Sequence, residues 1–269
     1  MKFCLLFCLL FHSVNSWSQG GKFALAFKNF KSSALPKGRD VYVYLPPGYE
    51  KNRTQEYPVL YMHDGQNLYD PARAFMGQTW NAQETLNALI LQRKIRPIIV
   101  VGIDNTPDRT SEYTPDADER HQGGKADLYL RMIVADLRPA IESRFRVSKN
   151  RAQTAILGSS LGGLVSLYAG IRYPQVFGLV GALSPSIWWN RLSIVEKYRR
   201  SSTLPLGVYL DSGTDGGERP QDVDLLRRDL ELRMPRGSFY AHLQQGATHS
   251  ERFWAQRLPI ALQFLFGTR

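Results

Sequence analysis

Leu157-Gly158-Ser159-Ser160-Leu161-Gly162-Gly163 is the stretch around which the chain can be organised. Thr154-Ala155-Ile156 before it is a short apolar run suited to a buried strand. After it, Leu164, Val165, Leu167, Tyr168 and Ile171 recur as one face of a helix. A strand, a tight turn and a helix are therefore predicted. Gly158-x-Ser160-x-Gly162 matches the G-x-S-x-G elbow, in which a serine takes a strained backbone conformation and flanking glycines leave room for it. Ser160 would then raise its hydroxyl above the sheet as a nucleophile. The Leu161 N–H, opening the helix, would point to where an oxyanion forms. A plain Gly/Ser turn can carry the same five letters, so the elbow takes its meaning from the strand and helix beside it.

The chain has 269 residues, 43% hydrophobic and 22% charged, which is enough apolar material for one sizeable core. Met1-Lys2, the apolar run 3–11 and the stretch 12–16 read as a secretory signal peptide over residues 1–18, leaving 19–269 as a single catalytic domain. That run is too short to span a bilayer and no later run is long enough. A secreted or periplasmic protein without stable membrane insertion is expected. Cys4 and Cys8 both lie in the leader, so the mature chain would have no disulfide, thiol nucleophile or cysteine-ligated metal. The net charge of +10 is spread over scattered basic residues, with no basic helix interleaved with aromatics. Such a surface favours solubility and anionic surroundings, and no nucleic-acid partner is expected.

In chain order, residues 23–30 and 40–45 read as antiparallel strands separated by a Ser/Pro/Gly stretch, and Pro46-Pro47-Gly48 stops the second. Residues 58–62 form a third strand that runs into His63-Asp64-Gly65-Gln66-Asn67. Asn81 with Glu84 suggests a capped helix start, continued by Leu86, Leu89 and Ile90. Residues 97–102 are apolar throughout, as in a parallel strand covered on both faces. Residues 104–124 lack periodicity and read as a long functional loop. Leu130, Ile133, Leu137, Ile141 and Phe145 mark a helix kinked at Pro139. Strands at 179–183, 206–210 and 239–243 follow, with helices around Leu225 to Leu232 and over the final segment. This alternation predicts an α/β fold: a mainly parallel, twisted sheet of about eight strands with helices on both faces. Ligands in such sheets sit at the carboxyl ends of the strands, where all the polar exit loops would gather.

A serine nucleophile needs a base, and the base needs a group to hold its tautomer. His249 follows the last strand and is the candidate base; His63, His121 and His242 lie elsewhere, the last within a strand. The acid should come between nucleophile and base in the chain. Asp215, Glu218 and Asp211 all qualify. Asp215 is the first choice because Gly213, Gly216 and Gly217 permit a turn toward His249. The second oxyanion donor is assigned to the Gln66 N–H. The segment from Asp211 lacks the ligand pattern of a calcium loop, and no Walker A sequence, zinc motif or dinucleotide fingerprint occurs. No metal and no cofactor are expected.

With these residues assembled, the sequence resembles the esterase D-related branch of the α/β-hydrolases, which includes siderophore esterases, feruloyl and acetyl-xylan esterases, and the mycolyltransferases. The resemblance rests on the 61–67 stretch, Arg109 with Glu112-Tyr113-Thr114-Pro115, the elbow, Tyr173-Pro174 with Phe177-Gly178, Ser184-Pro185-Ser186 with Trp188-Trp189, and His249. It implies an α/β-hydrolase fold with Ser160 as nucleophile, His249 as base, and Gln66 and Leu161 as oxyanion donors. Asp64, Arg109, Tyr113, Trp188 and Trp189 are expected around the substrate. Relatives often carry the acid where this chain has Gly216, so Asp215 or Glu218 must serve. The implied activity is serine carboxylic-ester hydrolysis through an acyl-enzyme, on small-molecule or oligosaccharide esters such as acyl sugars or siderophore lactones. The same triad could pass an acyl group to a sugar hydroxyl. A binding protein on a retired hydrolase scaffold would have lost a catalytic residue, and none is visibly lost.

Overall fold

The computed structural model describes residues 20–268. The predicted signal peptide lies outside the described residues. Strands β1 (Lys22–Phe30) and β2 (Arg39–Leu45) pair antiparallel, and β3 (Val59–Met62) follows. Next come α1 (Ala82–Leu91), β4 (Ile99–Ile103), the one-turn α2 (Arg109–Glu112) and a small hairpin of β5 (Ala117–Asp118) and β6 (Gln122–Gly123). Then follow α3 (Ala126–Arg131), α4 (Arg138–Arg144), β7 (Thr154–Ser159), α5 (Leu161–Arg172), β8 (Leu179–Leu183) and α6 (Trp189–Arg200). The chain finishes with β9 (Gly207–Gly213), α7 (Pro220–Arg233), β10 (Phe239–Gln244) and α8 (Glu251–Phe266).

One eight-stranded sheet runs in the order β1-β2-β4-β3-β7-β8-β9-β10. From β4 to β10 every neighbouring pair is parallel; β2 runs antiparallel to β4, and β1, antiparallel to β2, points the same way as the parallel strands. The parallel strands therefore end at one edge, and their exit loops meet there. Alternation of side chains across the pleat divides the core in two. Val59, Tyr61, Ile156, Val208 and Leu210 pack with Leu137, Leu164, Val165, Ile194 and Leu226 on one face. Leu60, Met62, Ala155, Leu157 and Tyr209 pack with Leu86, Leu89, Trp254, Leu258 and Leu262 on the other. Both faces of the central strands are buried, which is why they read as unbroken apolar runs.

Local structure departs from the sequence pattern at four places. Asn81 stands before α1 at φ 48° and makes no side-chain cap; the Thr79 hydroxyl donates to its side chain instead, at 2.9 Å. The predicted kink at Pro139 is a π-helical segment, Met132–Leu137, joining α3 to α4, with Pro139 in the first turn of α4. Proline has no N–H and its ring crowds the carbonyl four residues back, so the strain appears upstream of it. The long 104–124 loop contains α2 and the β5–β6 hairpin rather than irregular chain alone. Finally, α6 was not legible: its first turn is left-handed through Asn190, Arg191 and Leu192 (φ 43°, 54° and 66°), which breaks any helical register with the Trp pair before it.

Candidate active site

Ser160 lies between β7 and α5 at φ 56°, ψ −121°, a conformation that costs a non-glycine residue roughly 1–3 kcal/mol. Neighbouring backbone fixes it there. Its N–H donates to the Leu183 carbonyl, and its carbonyl accepts from the Leu164 and Ser186 N–H groups, each at 3.0 Å. Gly158 is required beneath it, since a Cβ there would stand 2.8 Å from the Gly162 carbonyl carbon and 2.9 Å from His63 Cδ2. The Ser160 hydroxyl is 3.3 Å from that of Ser186, which leaves the end of β8.

The β3 exit lies against the elbow. His63 N–H donates to the Leu157 carbonyl at 3.1 Å, and Asp64 then turns the chain at φ 55° into the 3-10 turn Gly65–Asn67. Among the described residues, neither the Gln66 nor the Leu161 backbone N–H has an acceptor. The Gln66 side chain accepts from the Asn105 N–H at 3.2 Å, which steadies the turn. Two unused donors at a helix start and a tight turn are what an oxyanion site needs.

Asp64 is buried and holds Arg109 in a fork, Nε to Oδ1 at 2.7 Å and Nη2 to Oδ2 at 2.8 Å, with Asn105 donating at 2.6 Å. Burial alone would raise its pKa, but the Arg109 charge and these hydrogen bonds hold the carboxyl below the usual range. Tyr113 accepts from the Asp64 N–H at 3.3 Å. Trp189 is buried and donates to the Asp116 carbonyl at 2.8 Å. Trp188 is partly exposed and meets both His121 and Trp189, forming an aromatic wall with the β5–β6 hairpin.

His249 leaves the strand β10 and is tied to the β9 exit loop, its N–H donating to the Gly216 carbonyl at 3.1 Å. Its Nδ1 faces Glu218 Oε2 at 3.6 Å, slightly beyond hydrogen-bond length. Glu218 is therefore the carboxylate beside His249, and Asp215 is not. Asp215 commits its N–H to the Ala247 carbonyl at 3.0 Å and turns its exposed side chain to the Thr214 hydroxyl. Gly216 and Gly217, at φ 44° and 87°, carry the chain round so that Glu218 comes back under the imidazole. Burial would raise the Glu218 pKa, yet His249, Ser184 and Arg257 together hold it below its ordinary value. Asp211 is fully buried under the same loop. Burial pushes it up to about 7 against the pull of Arg257, and it bonds the Ser184 N–H and the Tyr209 hydroxyl.

Ser186 and His249 line the same small cavity together with Glu218, Ser184 and Trp188. Ser160, Ser186, His249 and Glu218 thus gather at the carboxyl edge of β7, β8, β9 and β10, with Gln66, Asp64 and Arg109 beside them from β3 and the loop after β4. Sequence reasoning gave Ser184, Ser186, Asn105 and Arg257 no individual role. Arg257 alone left a signal, a charged residue on the otherwise apolar face made by Trp254, Leu258, Ala261 and Leu262.

A parallel sheet flanked by helices, with a strained serine between strand and helix and a histidine–carboxylate pair at the same edge, defines an α/β-hydrolase. The chain belongs to the family described as "Putative esterase", whose model matches residues 32–265. It is 26% identical to the uncharacterized protein YbbA of Bacillus subtilis, over 84% of this chain and 91% of that one. It is 31% identical to the iron(III) salmochelin esterase of Escherichia coli O6:H1, over 78% of this chain but only 46% of that one. An endo-1,4-beta-xylanase/feruloyl esterase of Xylanibacter ruminicola is 29% identical over 88% of this chain and 30% of its own length. The chain thus spans under half of those two relatives. Among solved structures, an IroE-like serine hydrolase from Shewanella oneidensis superposes with a TM-score of 0.72 at 23% identity, over 91% of this chain and 80% of that one. The enterobactin esterase FES of Shigella flexneri, solved with enterobactin, gives 0.72 at 24% identity over 91% and 58%.

Proposed function

We propose that this protein is a serine esterase that cleaves carboxylic esters through an acyl-enzyme on Ser160. The observation that carries the reading is the strained Ser160 elbow at the same strand edge as the His249–Glu218 pair. Glu218 facing Nδ1 leaves Nε2 as the basic nitrogen, the tautomer a serine nucleophile needs. Ser160 Oγ attacks the ester carbonyl carbon as His249 takes the hydroxyl proton. The carbonyl oxygen becomes an oxyanion between the Gln66 and Leu161 N–H groups. The tetrahedral intermediate collapses by expelling the alcohol, which leaves with the proton from His249. Water, deprotonated by the same imidazole, then attacks the acyl carbon and releases the acid and free Ser160.

Acyl esters of carbohydrates or siderophore lactones are the proposed substrates. The names carried by relatives support that class, as do an aromatic wall of His121, Trp188 and Trp189 and the pairing of buried Asp64 with Arg109 beside the elbow. The basic N-terminal leader supports export, and N-terminal sequencing of the secreted or periplasmic protein tests it by finding, or failing to find, cleavage near residue 18. For the chemistry, Ser160→Ala should abolish p-nitrophenyl acetate hydrolysis and labelling by a fluorophosphonate; retained turnover overturns the assignment. Feruloylated sugars, acetylated xylan and a catecholate trilactone, compared by kcat/KM, then separate the substrate classes.

A further inference from the structure

Behind Glu218, away from the substrate side, lies a buried polar cluster that the chemistry above does not use. Arg257 on α8 has a side chain only 1% exposed, in a helix face otherwise made of apolar residues. Its Nε stands 3.1 Å from Asp211 Oδ1, and its Nη2 lies 2.6 Å from Ser184 Oγ and 3.3 Å from Glu218 Oε1. Ser184, at φ 41°, also accepts from Trp254 Nε1 at 3.0 Å and donates to Glu218 Oε1 at 2.6 Å. Arginine and indole nitrogens can only donate, so both acceptor sites of the Ser184 hydroxyl are filled and its one proton must go to Glu218. Oε1 is thereby tied down. Oε2 takes a bond from Ser212 Oγ at 3.2 Å and faces His249.

We propose that Arg257 is a positioning residue which, through Ser184 and directly, holds the Glu218 carboxylate in the orientation that faces His249. The inference rests on the reading of Ser160 and His249 as nucleophile and base. Three elements converge on this one guanidinium: the β8 end through Ser184, β9 through Asp211, and the following loop through Glu218. A planar fork with several donors can satisfy them together where a single ammonium cannot. The titratable groups around it are Tyr209 and Asp211 on β9, Glu218 after it, His242 on β10 and His249. Strand β8 supplies none. Removing the guanidinium would leave two buried carboxylates without their shared cation, so Glu218 would hold a proton to higher pH. His249 would then lose its anionic partner over a wider acid range.

Steady-state p-nitrophenyl acetate kinetics across pH on full-length Arg257→Met, Arg257→Lys and Ser184→Ala test this, with thermal melts run in parallel. Arg257→Met is expected to lose about 10–100-fold in kcat with little change in KM, and the acid limb of its kcat/KM profile should move up by about one pH unit. Arg257→Lys keeps a charge but lacks the fork, so its acid limb stays near the wild-type position while kcat falls by about tenfold. Ser184→Ala lowers kcat without raising KM. Wild-type kcat and pH profile in folded Arg257→Met, with only the melting temperature reduced, would overturn the proposal. If that variant does not fold, wild-type kinetics in both Arg257→Lys and Ser184→Ala overturn it equally. Retained activity in Ser160→Ala, by contrast, would sink the esterase reading itself.

Discussion

Either side of the Gly216-Gly217 turn stand two carboxylates in opposite surroundings. Asp215 is exposed, whereas the Glu218 side chain is enclosed by Ser184, Ser212, Arg257 and His249. Only the enclosed one can fix an imidazole, because solvent would screen and reorient the other. Glu218→Gln should lower kcat by about 10²–10⁴-fold. Asp215→Asn should stay within about twofold, as an exposed substitution away from the site, and p-nitrophenyl acetate turnover measures both. His63 is a second residue whose surroundings decide its behaviour. It lies buried below the elbow, its Nδ1 2.8 Å from the Tyr129 hydroxyl, and burial lowers its pKa to about 3 from 6.5. A histidine whose folded pKa is depressed favours the unfolded chain once protons are available. Its contribution is therefore intact above about pH 6.5 and is lost as pH falls toward 3. Urea denaturation from pH 7 down to 4.5 should show stability falling by up to about 1.4 kcal/mol per pH unit from this group. His63→Phe should flatten that dependence; an unchanged slope would refute it.

The strand–elbow–helix unit of β7 and α5 could be read from residue types because its requirements are local: an apolar run, a residue forced to positive φ, and glycines at its flanks. Gly158→Ala tests the packing part. Its Cβ would meet backbone carbon and the His63 ring under 3.0 Å, and such overpacking costs about 1–3 kcal/mol or more. Differential scanning calorimetry should record a lower melting temperature, accompanied by lost turnover as α5 shifts from β7. Helix α8 shows the other side of legibility. Its apolar face was plain, but Arg257 within that face could be understood only once Asp211 and Ser184 were known to lie opposite it. The first turn of α6 was missed because three consecutive left-handed residues leave no periodic trace. The long 104–124 loop hid its short helix for a related reason, since one turn is too short to show a period.

Across the whole molecule, the antiparallel strands are coupled to the site by one buried ion pair. Arg39 on β2 meets Glu112 on α2 through two hydrogen bonds of 2.8 and 2.9 Å, both side chains 1% exposed. Glu112 is followed by Tyr113 and shares its helical turn with Arg109, so this pair anchors the loop whose Arg109 reaches Asp64 beside the elbow. Arg39→Met alone should destabilise the fold by about 3–5 kcal/mol, because it leaves a carboxylate buried without its partner. The double variant Arg39→Met/Glu112→Leu should recover most of that loss in urea denaturation. Equal loss in both would mean that the pair does more than offset its own desolvation.

The chain order of the main-sheet strands and of most helices, the strand edge at which polar loops gather, the Ser160 elbow and the chain position of His249 were determined by the sequence, whereas α2, the β5–β6 hairpin and α6 were not. Each feature so determined depends on near-neighbour chemistry: period-two or 3.6-residue burial, breaker residues, and the φ that an elbow demands. Which carboxylate meets His249, what holds it, and how Arg39 reaches Glu112 were decided only by tertiary structure. Those contacts join residues far apart in the chain, or select among side chains on one flexible turn. Their outcome depends on how loops close over a twisted sheet and on where a buried charge can find a partner.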